Sequence, residues 1–535
     1  MKNIMFIFLL CATIAAAGCS SNVNSAGSKG NNDQAKSSVN GSSNASEQAH
    51  SIEAGTQELI VAGQEIAVTL DPVQPLTTAY LRNMGVAEAL FKVNAAGEVI
   101  PELAESATAI DPTTWEIKLR SNALFWSGKA VDAEAVIASL ERSRELDLQA
   151  QPFLEGMTFS AIKDDTLKVE TEREHLPVPL NLSYYQTAIH NAEAKHDSVE
   201  TMDMTGMYKV VQFVPKQKIV LSINENYWGE KPSIATVVHE EIADEQTRVM
   251  SILSGRSHIA LNVNPSSLAQ FEHNDKAAII AAPAANTQTI YLNLNQSQLA
   301  DVKVRQALSW GLDREELVVL GAEGQSVPIT TWLSSNPAYA EAANAVYTKF
   351  DADKAGELLD EAGWLKDSDG LRYKDGNPLT LRLMTWGGDK ALGEALQNQW
   401  NNLGIKAEVQ HGDYSLIETA RETGDWDATI EAWSTFGDEY ALLSGQYAPE
   451  ARGNFGGFND EATNQLLAQL AGAADAEAKR KLALQINEHV AEQAPVISLF
   501  PRPQLTAISQ SLHGFEVHFR QFENTITSRL TLDAQ

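Results

Sequence analysis

Apolar positions are unevenly distributed along the 535 residues of this chain. Residues 20–54 contain hardly any apolar side chains, whereas the rest alternates short β-type runs with stretches whose apolar residues recur at helical spacing. Strands that alternate with helices predict an α/β fold in which helices cover a largely parallel sheet. With 44% hydrophobic residues, the chain is long enough for two or three packed lobes.

A hairpin followed by a helix is predicted in the middle of the chain. Two β-rich runs, 205–214 and 218–223, flank a turn that contains proline. A further apolar run at 234–238 leads into a helical pattern over 244–254. Gly255 is expected to cap this helix before the chain re-enters a strand.

Other elements follow from the same periodicities on both sides of this hairpin. In the first half we predict strands at 58–62 and 115–120 and helices at 78–91 and 133 to about 144, the latter capped by Asp132. In the second half we predict helices at 302–315, 353–363, 460–471 and 475–492, a helix ending at Gly404, and strands at 379–383, 405–409 and 426–430. Asp301 is placed to cap the helix at 302–315.

The N-terminus is typical of an exported protein. Lys2 precedes an apolar run at 4–10, which is too short to span a membrane, and small residues follow up to Cys19. The alternative is an ordinary secretory signal in which Cys19 occurs by chance. Residues 20–54 are rich in Ser, Asn and Gly, so we expect a disordered linker that spans roughly 30 to 35 Å.

Charge and cysteine content exclude some classes of protein. The formal net charge of −30 argues against nucleic acid as a partner, because binding to phosphates requires clustered Lys and Arg. The two cysteines, Cys11 and Cys19, both lie in the first twenty residues. Disulfides therefore cannot cross-link the body of the protein, which must be stabilised by burial of its core.

The sequence motifs of common enzymes are absent. There is no G-x-S-x-G, no H-E-x-x-H, no phosphate-binding G-K-[ST] loop and no C-x-x-C. The S-x-x-K match at 160–163 lacks its companion motifs, and the histidine pairs at 190 and 196 and at 513 and 518 are poorly spaced for a metal site on a helix face. We expect neither catalysis nor a cofactor; a secreted hydrolase is the rival class.

Several of these segments resemble one family of proteins. TGMYK at 205–209, NENYWGEKP at 224–232, the W115 to SLER142 segment and VRQALSWGLDR at 304–314 are similar to motifs of the extracytoplasmic solute-binding proteins of ABC importers, peptide/nickel family 5. The resemblance covers nearly everything from about Gln57 to the C-terminus.

The resemblance implies a fold and a division into domains. It implies a two-lobed periplasmic-binding-protein-like α/β fold, class II and of the large peptide/nickel type, with an extra subdomain in the first lobe. The expected segments are a lipoprotein signal peptide at 1–18, a lipidated Cys19 and linker at 19–54, lobe I at 55–283 with an insertion at about 75–204, lobe II at 284–498, and a return to lobe I at 499–535. Cleavage before Cys19 would leave lipid on its thiol and new amino terminus.

The resemblance also implies which residues contact the solute. From the first lobe these are Arg82, Met84, Trp126 and Arg144; from the second they are Phe436, Tyr440, Arg452 and Asn454. Most of them have a plainer alternative: Arg82 could be a solvated residue at a helix start, Trp126 could belong to the core, and the glycine-rich segments around 433–440 and 452–459 could be ordinary turns.

The nature of the solute stays open between two classes. The family branch favours a nickel-type or opine-like metal chelate, bound as ligand and not as cofactor, and the alternative is a short peptide. Gln149 and Gln288 stand where chelate-binding relatives tend to show arginine, and glutamine offers a carboxylate only a neutral hydrogen bond. The implied partners are an ABC permease and, through the lipid, the extracytoplasmic face of the membrane; a monomer is expected. A receptor that signals without feeding a transporter is a further alternative.

Overall fold

The computed structural model describes residues 57–340, 347, 349–520, 522–523 and 525–533. The described residues belong to one compact unit, Ala54–Gln535. The predicted signal peptide at 1–18, the lipidated Cys19 and the linker up to residue 54 lie outside the described residues. Within them, no helix combines the length and the apolar character that a membrane span would need.

Thirteen helices are present in the described ranges. In chain order they are α1 Thr77–Asn83, α2 Ala133–Leu146, α3 Gln151–Leu154, α4 Val178–Asn181, α5 Glu245–Leu253, α6 Val302–Trp310, α7 Arg314–Ala322, α8 Ala352–Glu361, α9 Lys390–Asn402, α10 Tyr414–Thr423, α11 Glu439–Tyr447, α12 Glu461–Ala471 and α13 Ala476–Gln493.

The same ranges contain 21 strands. In chain order they are β1 Glu58–Gly63, β2 Phe91–Val93, β3 Val99–Pro101, β4 Ala104–Asp111, β5 Thr114–Leu119, β6 Met157–Lys163, β7 Thr166–Thr171, β8 Tyr208–Val214, β9 Lys218–Ile223, β10 Thr236–Glu241, β11 Ile259–Ala260, β12 Ala277–Leu292, β13 Leu365–Lys366, β14 Arg372–Lys374, β15 Asn377–Pro378, β16 Thr380–Trp386, β17 Lys406–Gly412, β18 Ala428–Ser434, β19 Val496–Ser509, β20 Leu512–His513 and β21 Thr531–Leu532.

A ten-stranded sheet organises the molecule, in the order β17-β16-β18-β12-β19-β11-β1-β10-β9-β8. Strands β1, β10 and β11 run parallel in one half, and β16, β17 and β18 run parallel in the other. The two long strands β12 and β19 pair antiparallel in the middle of the sheet and join these halves. The chain therefore folds as the predicted α/β architecture with parallel strands in each half.

Separate hydrophobic cores support the two halves. One core surrounds Leu59, Val61 and Val237 on the β1 side, and another surrounds Leu383, Trp400 and related residues on the β16 side. A third packs the four-stranded sheet β4-β5-β7-β6 against α2. Because each core buries its own apolar residues, the halves are stabilised largely independently of each other.

Most of the predicted elements are confirmed. The hairpin forms as β8 and β9, the helix after it is α5 with Asp244 as its N-cap, and Gly255 has a φ of +81°. Asp132 and Asp301 cap α2 and α6 as expected, because their carboxylates accept a hydrogen bond from a backbone N–H of the first turn. The predicted domain boundaries stay predictions; β12 and β19 run continuously across residues 283 and 498.

The helix predicted over 78–91 is wrong in its second half. Helix α1 ends at Asn83, and the chain turns at Gly85 with a φ of +71°. Residues 85 and 86 instead bond to the hairpin segment, since Gly206 N–H donates to the Val86 carbonyl and Tyr208 N–H donates to the Gly85 carbonyl. A Cβ on Gly206 would lie 2.4 Å from the Gly85 carbonyl oxygen, so only glycine allows this approach. A tertiary contact therefore replaces two helical turns.

The helix predicted over 302–315 is two helices. Helix α6 stops at Trp310, and α7 begins after Asp313, whose side chain accepts from Glu316 N–H. A Cβ on Gly311, which lies between the helices, would sit 2.3 Å from Leu403 Cδ1. The break lets α9 approach the chain closely at this point.

Glu88 is a buried carboxyl that contacts the aromatic pair Tyr227 and Trp228, which follows the hairpin. Tyr227 Oη and Trp228 Nε1 donate to its Oε1 at 3.2 and 3.1 Å. Burial and the neighbouring carboxyl of Glu102 raise the pKa of Glu88 to about 8. The side chain is therefore largely protonated at neutral pH in the folded protein.

We expect Glu88→Gln to flatten the pH dependence of stability. In the unfolded chain a glutamate loses its proton above a pKa of about 4.3, so the folded state binds the extra proton and loses stability as pH rises from about 5 to about 8. Glutamine keeps the shape of the side chain without titrating. Thermal melts from pH 5 to pH 9 should show E88Q gaining stability relative to the unmodified protein as pH rises; parallel curves would contradict this.

Candidate functional site

A cavity of about 620 Å³ lies where strands of the two halves end. Its lining includes Gln64 after β1, Asn262 after β11, Asp389 after β16 and Ser434 at the end of β18. These are the carboxyl ends of parallel strands, where open α/β sheets bind ligands. The position of the cavity therefore follows from the sheet topology.

One wall of the cavity is a stack of aromatic rings and one guanidinium. Phe153 stacks on Tyr184 with ring centroids 4.0 Å apart, and the Arg520 guanidinium lies 4.1 Å from the centre of the Tyr184 ring. On the far side Phe519 meets Phe436 edge to face, at 5.2 Å. The wall combines apolar surface with one cation, which suits a solute that has both apolar and polar parts.

The opposite end of the cavity is polar. Arg502 is exposed, lines the cavity, and makes no hydrogen bond or ion pair with any described residue. Gln288 is 1% exposed; its amide makes no hydrogen bond of good geometry with the described residues, but it lies close enough to the Asp389 carboxyl to interact with it. Half-buried Asp389 lies beside them; burial raises its pKa, and the charge of Arg502 and the amide of Gln288 oppose that shift. We call Gln288, Asp389 and Arg502 the polar cluster.

An irregularity in the β12–β19 ladder presents Arg502 to the cavity. Pro283 pairs with Pro503 and Thr287 pairs with Pro501. Three residues of β12, 284–286, therefore lie opposite the single residue Arg502 of β19. Such a bulge leaves the extra residues outside the ladder and bends the strand locally. The prolines on both sides of Arg502 cannot donate to the ladder, which keeps this part of β19 out of regular pairing.

Polar contacts also join the two halves beside the cavity. Arg173 Nη2 lies 3.1 Å from Asp438 Oδ1, and the Arg173 guanidinium lies 5.1 Å from the centre of the Tyr440 ring. Tyr184 Oη donates to the Phe436 carbonyl at 3.1 Å, and Lys479 Nζ donates to the His175 carbonyl at 2.8 Å. In this structure the halves are therefore in direct contact.

The structure brings only one of the eight predicted site residues to the cavity. Phe436 lines it, whereas the others lie elsewhere in the described part of the chain: Arg82, Met84, Trp126, Arg144, Tyr440, Arg452 and Asn454. A ligand role for these seven stays a prediction, and their observed contacts are structural.

The first-half residues of this set are mainly core residues. Arg82 is fully buried and paired with Glu102 and Glu523, and Met84 and Trp126 belong to the hydrophobic core around β1. Arg144 pairs with Glu141 and donates to the Leu154 and Met157 carbonyls, bordering a separate surface groove. Gln149 is exposed outside the cavity, while Gln288 lies in it.

The second-half residues flank the cavity at a distance. Tyr440 packs beside Arg173 and against the core of α11 to α13, and Arg452 is exposed. The Asn454 amide closes a turn: Nδ2 donates to the Ala448 and Phe458 carbonyls, and Oδ1 accepts from Phe458 N–H.

Sequence reasoning missed most of the residues that line the cavity. Arg520 and Tyr184 sit in segments without regular structure, and no local pattern marks them. Two others had usable signals. Asp389 follows two glycines shortly after the predicted parallel strand at 379–383, and Arg502 lies between two prolines directly after an apolar run.

We expect Asn454→Ala to destabilise the protein by about 1–3 kcal/mol, because three backbone groups lose their partner. Thermal or urea unfolding measures this, with Asn377→Ala as the matched control, since Asn377 is exposed and makes one hydrogen bond of 3.3 Å. Unchanged stability together with weaker solute binding would instead support the predicted ligand role of Asn454.

Comparisons with known proteins agree with this architecture. Residues 98–454, more than half of the chain, match the family described as bacterial extracellular solute-binding proteins, family 5 Middle. The chain is 24% identical over 467 residues to the nickel-binding protein NikA of Staphylococcus aureus, covering 85% of this chain and 92% of that protein. It is 25% identical over 445 residues to the oligopeptide-binding protein AppA of Bacillus subtilis, covering 78% and 80%.

Solved structures show the same fold. The crystal structure of NikA from Brucella suis in complex with Fe(III)-EDTA superposes with a TM-score of 0.79 at 22% identity, covering 89% of this chain and all of that one. Proteins of this family are two-lobed, extracytoplasmic, solute-binding components of ABC importers; they are not enzymes and carry no cofactor. The α/β fold with strand-end cavity and the family match together show that this chain belongs to the bacterial extracellular solute-binding proteins, family 5.

Proposed function

We propose that this protein is a lipid-anchored receptor that captures an amino-acid-type solute in the strand-end cavity and delivers it to an ABC permease. The preferred solute is a nickel-type or opine-like metal chelate. The observation that carries the proposal is the polar cluster, which offers a guanidinium without an ion-pair partner, a carboxyl and a buried amide at one end of a cavity with an aromatic wall.

The chemistry of the polar cluster defines the solute. The Arg502 guanidinium can bind a carboxylate through two parallel N–H donors, whereas Asp389 can accept from an amine. The amide of Gln288 supplies one further donor and one acceptor. A solute that carries carboxylate and amine groups close together satisfies all three, and amino-acid chelators and opines are of this kind.

The metal in such a solute belongs to the cargo. In the described residues, no group of three or more His, Cys, Asp or Glu side chains is arranged to hold a metal ion. The chelator would therefore supply the metal's ligands, and the protein would recognise the chelator's carboxylates and its apolar surface. The nickel-binding NikA of Staphylococcus aureus is a relative that supports this choice.

A short peptide is the second candidate. Its terminal carboxylate and ammonium groups offer the same chemistry to Arg502 and Asp389, and its side chains could pack on the aromatic wall. The similarity to the oligopeptide-binding AppA of Bacillus subtilis favours this candidate as much as NikA favours the first.

Capture is proposed to work by closure of the two lobes. The cavity is lined from both halves, by Tyr184 on one side and by Asp389 and Phe436 on the other. A solute that contacts both sides at once stabilises the closed arrangement by its extra contacts there, and shifts the population towards it. The protein acts as a monomer in this scheme, since one chain supplies both walls.

Calorimetry on the purified protein tests the proposal. The probes are nickel with two equivalents of L-histidine, Fe(III)-EDTA, and a mixture of dipeptides and oligopeptides. Binding of either metal chelate supports the preferred solute, binding of the peptides supports the second candidate, and heat from neither class would contradict the proposal.

We expect Arg502→Met to weaken binding of the active probe about tenfold or more, because a charge-assisted hydrogen bond contributes about 1.5–3 kcal/mol. Titration calorimetry measures the change. Arg256→Met is the matched control, since its side chain is 58% exposed and pairs with Glu240 outside the cavity. Equal affinity of R502M and the unmodified protein would remove Arg502 from the site.

The lipid anchor is a separate part of the proposal. The apolar run at 4–10 and the small residues before Cys19 support cleavage at that cysteine and attachment of lipid. Several acyl chains would hold the receptor stably at the membrane, and the linker up to residue 54 would let it reach its permease.

We expect Cys19→Ser to release the protein from the membrane fraction. Cell fractionation with immunodetection measures the distribution, and Cys11→Ser is the matched control because residue 11 lies inside the expected signal peptide. Membrane association that persists in C19S would contradict the anchor.

A further inference from the structure

Four charged side chains form a buried chain that ends at the cavity wall. Arg82 Nη1 donates to Glu102 Oε2 at 2.8 Å, and Arg82 Nε donates to Glu523 Oε2 at 3.1 Å. The other oxygen of Glu523, Oε1, lies 3.1 Å from Arg520 Nη1. These four side chains are between 0 and 9% exposed. Glu523 therefore binds two arginines at once; we call the set Glu102, Arg82, Glu523 and Arg520 the charge relay.

Stability alone gives a weak reason for such a chain. Each buried charge costs desolvation energy, and well-packed apolar residues often replace a buried ion pair with equal or greater stability. The opposite charges raise the pKa of Arg82, so this guanidinium keeps its proton despite full burial. The charge relay thus keeps its members charged and holds them in defined positions, which suits a role in positioning the groups next to it.

The last member of the charge relay touches both halves of the molecule. Arg520 lies on the Tyr184 ring at 4.1 Å and 5.7 Å from the centre of the Phe436 ring, and its guanidinium donates to the Ser183 hydroxyl and carbonyl oxygens. Tyr184 in turn donates to the Phe436 carbonyl. Arg520 is therefore the point at which the segment after α4 and the segment after β18 are held together.

Helix α1 anchors the segment that carries Glu523. Asn83 Nδ2 donates to the Glu523 carbonyl at 3.0 Å, and the Asn83 carbonyl accepts from the N–H groups of Thr525 and Ile526. Arg82, the preceding residue, donates a hydrogen bond to the Glu523 carboxylate. The end of α1 thus fixes both the backbone and the carboxylate of this segment.

We propose that Arg82 is a positioning residue for the solute cavity, acting through Glu523 on Arg520. With Arg82 in place, Glu523 holds the Arg520 guanidinium over the Tyr184 ring and near the Phe436 ring. Without Arg82, Glu523 is no longer fixed, Arg520 loses its orientation, and the contact between Tyr184 and Phe436 weakens. This role concerns the shape of the cavity wall and does not depend on which solute the cavity takes.

Hydrogen exchange of the full chain without added solute tests the role of Arg82. The readout is exchange in peptides covering 183–188 and 434–438, where Thr435 N–H bonds to the Ala285 carbonyl in the cavity lining. We expect Arg82→Met and Arg520→Met each to speed exchange there about tenfold, and the double variant to match R520M alone, because coupled residues are not additive.

Arg305→Met is the matched control. Arg305 is 5% exposed and donates to the Leu299, Ala300 and Gln493 carbonyls, away from the charge relay. R305M is expected to lower the melting temperature while leaving exchange in the two peptides unchanged. If R82M acted only through a general loss of stability, R305M would speed exchange in the two peptides as much as R82M does. This outcome would overturn the proposal.

Two further outcomes would also overturn it. One is unchanged exchange in R82M, and the other is an effect of R82M that is as large in the R520M background as in the unmodified protein. Should R82M fail to fold, Glu523→Gln interrupts the charge relay at the shared carboxylate. E523Q is then expected to reproduce the exchange of R520M, and exchange like that of the unmodified protein would refute the proposal.

Discussion

The antiparallel pairing of β12 with β19 is the constraint on which the rest of the molecule depends. The pairing runs from Ala277 opposite Ser509 to Tyr291 opposite Val496. Strand β12 also pairs with β18, and β19 also pairs with β11, so one continuous sheet reaches from half to half. The bulge opposite Arg502 interrupts the pairing at the level of the cavity. A second register shift follows between Gln288 and Thr289, and a ladder interrupted in this way can bend there while its ends stay paired.

This arrangement explains why the cavity forms where it does. Parallel strands require crossover connections, so the loops at their carboxyl ends are free to carry binding groups. Because β12 and β19 set the halves end to end, the loops after β1 and β11 face those after β16 and β18. The cavity is thus a product of topology, and its chemistry is a product of the particular loop residues.

Two arginines, Arg82 and Arg502, have opposite environments. Arg82 is fully buried between two carboxylates, whereas Arg502 is exposed and has no partner among the described residues. A guanidinium that is paired with two carboxylates inside the protein fixes neighbouring groups, and one that has no ion-pair partner can bind an incoming carboxylate. The same side chain therefore acts as framework in one place and as a recognition group in the other.

The sequence by itself determined the elements whose cause is local. The β8–β9 hairpin, the Asp caps of α2 and α6 and the parallel strands β16 to β18 follow from periodicity and capping, and the resemblance of a few motifs identified the family. Only the tertiary structure decided where α1 ends, because Gly206 meets residues 85 and 86 from 120 positions away in the chain. It also decided which side chains line the cavity. Arg82 matched a family motif yet lies in the core, while Tyr184, Arg502 and Arg520 come from distant segments that meet through the sheet order, which local periodicity does not encode.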